Sequence, residues 1–269
     1  MTARHASIEL DRIHIRDIGM NDLKWALVAG WDDFWEKRGD VLMLGFLYPV
    51  VGLLLVVLAM GYALVPVLFP LAAGLTLVGP AVAAGFYELA RRREHGLDAR
   101  WRHFFDPFID DRLSSIGSLA MMLALVFVLW LGVAWTIYDA TLGRLGPDSI
   151  ETFMALLFTT TEGWTMIVVG NLVGLIFAAG VLSVSVVSFP MMVDQHIDMG
   201  TAVETSLRVA AQNPLTVTKW GLIVAALLLV GSIPVFVGLA VILPWLGYAT
   251  WHLYTRAVNI ENVTRRSAA

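Results

Sequence analysis

Five side chains of this 269-residue chain have types and positions suited to chemistry: Glu88, Asn171, Asp194, His196 and His252. Glu88 and His252 hold equivalent places in two segments that align without gaps at an offset of 164. A carboxylate and an imidazole brought face to face there would form a hydrogen-bonded pair able to relay a proton. Imidazole titrates near neutral pH, and ionisable groups are costly to keep at membrane depth. The alternative is that both, beside Arg91, Arg92 and Arg256, only anchor helix ends among headgroups. Asn171 lies between Gly170 and Gly174, small residues that let a second helix approach. An interhelical hydrogen bond worth about 1 kcal/mol is one reading, and a substrate contact is the other. Asp194 and His196, two apart, can share a metal, but two ligands do not make a site; a solvated loop is the competing reading.

Other chemistry is missing from the chain. There are no cysteines, which removes disulfides, thiolate catalysis and Cys-ligated zinc or iron–sulfur centres. No P-loop, Ser–His–Asp arrangement or His-rich helix occurs. The six histidines are His5, His14, His95, His103, His196 and His252, and only the last is near a long apolar stretch. Integral haem proteins need axial ligands inside their spans, so haem-based electron transfer by this chain alone is not expected. The sequence reads as a protein that is not an enzyme and has no cofactor, metal or nucleic-acid partner.

The elements that must hold these residues are dominated by apolar runs. Hydrophobic residues make up 58% of the chain and charged residues 15%, with mean hydropathy +0.74; soluble domains carry about 25% charged residues. Val41 to Tyr87 is 47 residues without a charge, about twice the ~20 residues that cross a bilayer as a helix. Further uncharged runs cover 113–138, 163–193 and 220–255. Six spans follow: about 41–60, 65–90, 115–138, 165–191, 216–230 and 234–254. Of the 18 Lys and Arg, all but Arg144 fall in residues 1–40, the loop after span two, the loop after span four and the first residues of span five, or the C-terminal segment. Cationic loops resist translocation, which puts that side and both termini in the cytoplasm. The polar first 40 residues lack the apolar core and cleavage site of a signal peptide.

Each span pair is preceded by a segment readable as an amphipathic helix. The first is Asn21–Lys37, with Leu23, Leu27, Gly30, Trp31 and Phe34 on one face; the second is about Asp98–Arg112; the third is Thr201–Gln212, stopped by Asn213–Pro214. Such helices either lie in the membrane interface or pack on the span ends. The net acidity of the first favours packing on protein. In the repeat, Pro70, Gly74, Leu75, Pro80, Leu89 and Arg92 match Pro234, Gly238, Leu239, Pro244, Leu253 and Arg256, the pattern of a parallel repeat about the membrane normal. The apolar Phe153–Thr161 is too short to span. Tyr62, Trp135, Tyr138 and Trp164 are expected at the outer boundary, and Tyr87, Trp220, Trp251 and Tyr254 at the inner one, as an aromatic belt.

Several stretches then look familiar: Gly79-Pro80, Tyr87-Glu88-Leu89-Ala90-Arg91-Arg92, Gly96-Leu97-Asp98, Trp101-Arg102, Ser183–Pro190, Asn213-Pro214, Trp220–Ala226 and Ala249-Thr250-Trp251-His252-Leu253-Tyr254. Over roughly residues 20–257 the chain resembles a bacterial family of predicted integral membrane proteins whose domain has no assigned function. The resemblance implies a bacterial inner membrane. Some relatives carry names suggesting cytochrome c oxidase subunit I, which implies at most an association with respiratory complexes, given the histidines. The expected fold is an all-α bundle of six spans in three hairpins, each preceded by a cytoplasmic amphipathic helix. Residues 1–40 form an N-terminal segment, 41–257 the membrane domain and 258–269 a tail. The expected role is a non-catalytic accessory, assembly or scaffold component that binds lipid or other membrane proteins. The alternative is a small-molecule or lipid transporter with a midplane site between span pairs, near Asn171, Pro80 and Pro244.

Overall fold

The computed structural model describes residues 13–36, 79–147, 149–234 and 236–260, together with positions 39, 42, 45, 46 and 50. The expected first span, and the second as far as residue 78, otherwise lie outside the described residues, as do Tyr62, Pro70 and Gly74. The described chain is mostly helical. It runs β1 (Ile13–Ile15), α1 (Met20–Glu36), α2 (Ala84–Glu94), a 3-10 helix (Trp101–Phe108), α3 (Leu113–Ala140), a second 3-10 turn (Leu142–Leu145), α4 (Ile150–Thr159), α5 (Thr161–Ser185), α6 (Ser188–Gln195), α7 (Met199–Gln212), α8 (Pro214–Ser232), α9 (Leu239–Ala257) and β2 (Val258–Ile260).

Among the described residues, three helical stretches are long and apolar enough to cross a membrane: Leu113–Ala140, Thr161–Gln195 and Pro214–Ser232. They correspond to the third, fourth and fifth expected spans. At 1.5 Å per residue the 28 residues of α3 extend about 42 Å, more than the ~30 Å of bilayer hydrocarbon. The fourth stretch is not one smooth rod to residue 191: a turn at Val186–Val187 separates α5 from α6. The sixth expected span also starts late. Phe236 takes a positive φ of 65° in the turn before it, and the helix begins at Leu239.

The chain divides into two compact units. The first comprises Met1–Pro49, Pro80–Leu119 and Leu182–Ala269; the second comprises Val50–Gly79 and Ala120–Val181. In the second, Trp130 of α3 packs on Phe177 of α5 at 5.5 Å between ring centroids, with its ring edge over Gly174. Tyr138 meets Phe153 of α4, so the short apolar segment forms a helix, capped by Ser149 accepting from the Thr152 amide.

The first unit has the larger core. Every residue of Ala84–Ala90 and of Ser185–Val193 is buried, as is most of Leu246–Tyr254. These are the charged-end halves of expected spans two, four and six. They meet one another, and α1, rather than lipid. Tyr87, Trp220, Trp251 and Tyr254, expected near the inner boundary as part of an aromatic belt, are all at most 3% exposed. Their rings are core, whereas Trp135 and Trp164 are exposed. α1 packs along α9 and buries Leu23, Ala26, Gly30 and Phe34. Gly30 is required there, because a Cβ would sit 2.5 Å from the Ala249 amide nitrogen. The Trp245 indole donates to the Leu27 carbonyl at 2.9 Å across the same contact.

The two ends of the described chain are clasped. β1 pairs antiparallel with β2, Ile13 opposite Ile260. Asn213, at the break between α7 and α8, accepts from the Ile18 amide at 2.9 Å and donates to the Arg16 carbonyl. The Asn213–Pro214 stop of the sequence is therefore also a tie to the chain start. The expected helix over Asp98–Arg112 is instead a 3-10 helix at Trp101–Phe108, interrupted by Pro107, which removes an amide donor that a continuing α-helix would need.

Candidate functional site

α2 reads Ala-Gly-Phe-Tyr-Glu-Leu-Ala-Arg-Arg-Arg-Glu, and its polar residues fall three and four apart after a buried apolar start. That spacing stacks Glu88 under Arg91 and Arg92 on one helix face. Glu88 is fully buried. It accepts from Arg91 Nε at 3.0 Å and Nη2 at 2.8 Å, and from Arg92 Nε at 2.7 Å. The fourth bond comes from Arg112 Nη1 at 2.6 Å, 24 residues along the chain. Arg112 is itself buried, and the same nitrogen donates to the Val193 carbonyl of α6 at 2.9 Å.

The charges balance locally. Arg92 also reaches Asp106 at 2.8 Å, and Arg112 reaches Asp110 at 2.5 Å. Glu88, Asp106 and Asp110 thus offset Arg91, Arg92 and Arg112, the condition under which buried charge is tolerable. Burial alone would raise the Asp110 carboxyl, but hydrogen bonds from Arg112 outweigh it and hold it below the usual carboxylate range. Burial opposes the charge on Arg112 as well, and Asp110 and Glu88 reverse that, holding its pKa above the ordinary value. In the following loop, the Arg100 hydrogen bond holds Asp98 well below the usual range.

The rest of α2 reaches further elements. Arg93 pairs with Asp33 of α1 at 2.7 Å and with Glu36. Glu94 accepts from the Trp251 indole of α9 at 2.7 Å. α9 also comes close, since a Cβ on Gly247 would lie 2.6 Å from Phe86 Cβ. α2 is the hub of the first unit, tied by ions and hydrogen bonds to α1, α9, the 3-10 helix and the loop before α3, and through Arg112 to α6. Among the described residues, no buried side-chain nitrogen or oxygen lacks a hydrogen-bond partner.

The expected pairs are rearranged. Glu88 and His252 do not pair with each other: Glu88 is taken by three guanidiniums, and His252 Nε2 sits 2.8 Å from Asp33 Oδ2. The reason is that α1 lies beside α9 and supplies the nearer carboxylate. Asn171 donates to the Ile167 carbonyl of its own helix at 2.7 Å, and among the described residues it makes no bond to a neighbouring helix. Asp194 and His196 diverge. Asp194 accepts from the Tyr254 hydroxyl at 2.8 Å, while His196 ends α6 with φ 52°. His196 instead approaches Asp110 and Asp111, the ligand atoms of all three lying within 4.8 Å of one another at the surface. Arg112 already occupies Asp110 there, and a guanidinium is a competitor for any cation.

The participants not anticipated from sequence are Arg112, Asp33, Arg93, Glu94 and Asn213. For Arg112 the available signal was one arginine just before a 26-residue uncharged run, a position that must neutralise or anchor something. The stretch that holds Glu88, the three α2 arginines, Arg112 and Asp194 falls within a match to a protein-family model. Residues 68–194 match the family described as predicted integral membrane protein (DUF2189). This family has no assigned function. No curated protein and no solved structure matches the chain. The family match and the apolar helices agree that this is an integral membrane protein.

Proposed function

We propose that the protein is a non-catalytic component of a bacterial inner membrane, an accessory or scaffold protein that binds other membrane proteins or lipid through its spans. The observation that supports this most is how the buried polar groups are used. The arginine-rich end spends its carboxylates, guanidiniums, indole and phenol on cross-links between its own helices. A reaction centre keeps a nucleophile or base directed at a space for substrate; here those groups serve rigidity.

The outward surfaces are the complement. Leu125, Val128 and Leu129 of α3, Leu172, Leu175 and Ile176 of α5, and Leu222 and Leu229 of α8 are all exposed apolar side chains. Surfaces of that kind meet acyl chains or the spans of a partner. The excess of Lys and Arg supports placing the α2 end and both terminal segments in the cytoplasm.

Gentle-detergent purification of the tagged chain, with mass spectrometry of co-purifying proteins and lipids, tests this role. A stoichiometric membrane-protein or lipid partner is the expected result. A lone monomer that instead drives solute uptake in proteoliposomes would replace this reading with the transporter alternative, whose basis is the Pro80 and Pro244 repeat.

A further inference from the structure

α1 carries more than the face it buries on α9. At 100° per residue, Met20, Lys24, Val28, Trp31 and Trp35 fall within a sector of about 80° that adjoins the buried face. All five are exposed, Val28 at 61% and Trp35 at 53%. The acids Asp22, Asp32, Asp33 and Glu36 occupy the adjoining sector. Two of them, Asp33 and Glu36, are paired with Arg93 of α2. The helix is therefore divided lengthwise into a buried face, an acidic flank two of whose carboxylates meet the protein's own Arg93 and His252, and an apolar strip whose one charge is Lys24.

We propose that this strip is a membrane-interface anchor, seated at the boundary between headgroups and acyl chains. The proposal rests on the reading of the chain as an integral membrane protein and adds which non-spanning element touches lipid. Three observations single out lipid as the occupant. The strip's composition is that of an interfacial helix: tryptophan, methionine and valine, with a lysine whose stem can lie on apolar surface while its ammonium reaches phosphate. Its charge is segregated, so the net acidity of α1, which would repel anionic headgroups, is directed elsewhere and partly neutralised. The strip is also continuous with apolar surface beyond the helix. Trp31 stacks on Trp35 at 5.7 Å and meets Trp245 of α9 edge-on at 5.1 Å. Trp25 lies outside the strip, with Arg256 4.0 Å above its ring and His252 at its edge.

The absence of cysteine makes the test direct, because each single-cysteine variant carries one label. Val28→Cys, Trp31→Cys, Trp35→Cys and Asp32→Cys are nitroxide-labelled in the full chain. The protein is then reconstituted in phosphatidylcholine–phosphatidylglycerol vesicles, and collision with oxygen and with a water-soluble nickel chelate is measured. Leu125→Cys on α3 reports whether the chain is in the bilayer at all. The expected result is several-fold higher oxygen and lower nickel accessibility at 28, 31 and 35 than at 32. High nickel accessibility at 28, with Leu125→Cys protected, overturns the anchor and leaves the membrane reading intact. Low accessibility of 28 to both reagents means that protein covers the strip, and also overturns it. High nickel accessibility at 125 contradicts the membrane reading itself. Val28→Cys is a small change on an exposed face, so it carries the test if either tryptophan variant fails to fold.

Discussion

Replacing Glu88 by alanine withdraws the one acceptor shared by three guanidiniums. The consequences differ for each. Arg91 and Arg92 have side chains 18% and 20% exposed, so water replaces much of what they lose. Arg112, at 4%, keeps Asp110 and the Val193 carbonyl but loses its counter-charge in the interior. Breaking a buried pair by removing one partner costs about 3–5 kcal/mol. The contacts retained by Arg112 place Glu88→Ala near the lower end, at about 3 kcal/mol. For a chain of this size that lowers the melting temperature by roughly 6–12 °C. Arg91→Ala removes a partner that water reaches, for which about 1 kcal/mol or less is expected. Fluorescence-detected thermal unfolding in one detergent, with both variants beside the parent, measures the difference. Should Glu88→Ala shift the midpoint by under 3 °C, or no more than Arg91→Ala does, Glu88 is not the hub argued for and the network is ornamental.

Gly30→Leu forces a side chain against the Ala249 backbone and lifts α1 from α9; a cost of about 1–3 kcal/mol and loss of amide-exchange protection over 20–36 are expected, and unchanged protection would contradict the packing. Asp198 caps α7 through the Thr201 amide at 3.1 Å, so Asp198→Ala costs about 1 kcal/mol in the same melt. Burial opposes ionisation of Asp198, but the Thr201 hydrogen bonds prevail and lower its pKa; a lowered folded pKa gives stability that is full above the unfolded value of about 3.9 and is lost as pH falls through the folded one. Asp198→Asn, which caps without titrating, therefore flattens the melting-temperature profile below about pH 4, and an unchanged acid limb would refute the assignment. Asn171→Leu shifts the midpoint by less than an interhelical bond of about 1 kcal/mol, because the amide serves its own helix.

The membrane class and the helical runs were legible because charge segregation and run length are one-dimensional properties. The pairing of Glu88 with Arg91 and Arg92 is likewise written in a three- and four-residue spacing. The partner of His252 was not legible, because Asp33 lies 219 residues away and only the packing of α1 on α9 brings it near. An all-round apolar helix reads the same whether acyl chains or protein surround it. That is why Tyr87, Trp220, Trp251 and Tyr254 were expected at a lipid boundary and are instead core. The β1–β2 clasp was hidden for another reason. Two strands of three residues, Ile13–Ile15 and Val258–Ile260, are too short to show a period. Asn213 announced a helix stop by its place before Pro214, but its grip on Arg16 and Ile18 depends on where the chain start lies in space.

The proposed topology, which rests on the distribution of Lys and Arg along the sequence, puts the segment after α2 and the α3–α4 turn on opposite sides of a bilayer. Single-cysteine variants Leu97→Cys and Ser149→Cys, both at exposed positions, can be treated with a membrane-impermeant maleimide in intact cells and in inverted vesicles. The account predicts labelling of 149 in cells and of 97 only in inverted vesicles. Labelling of both positions from the same side would contradict it.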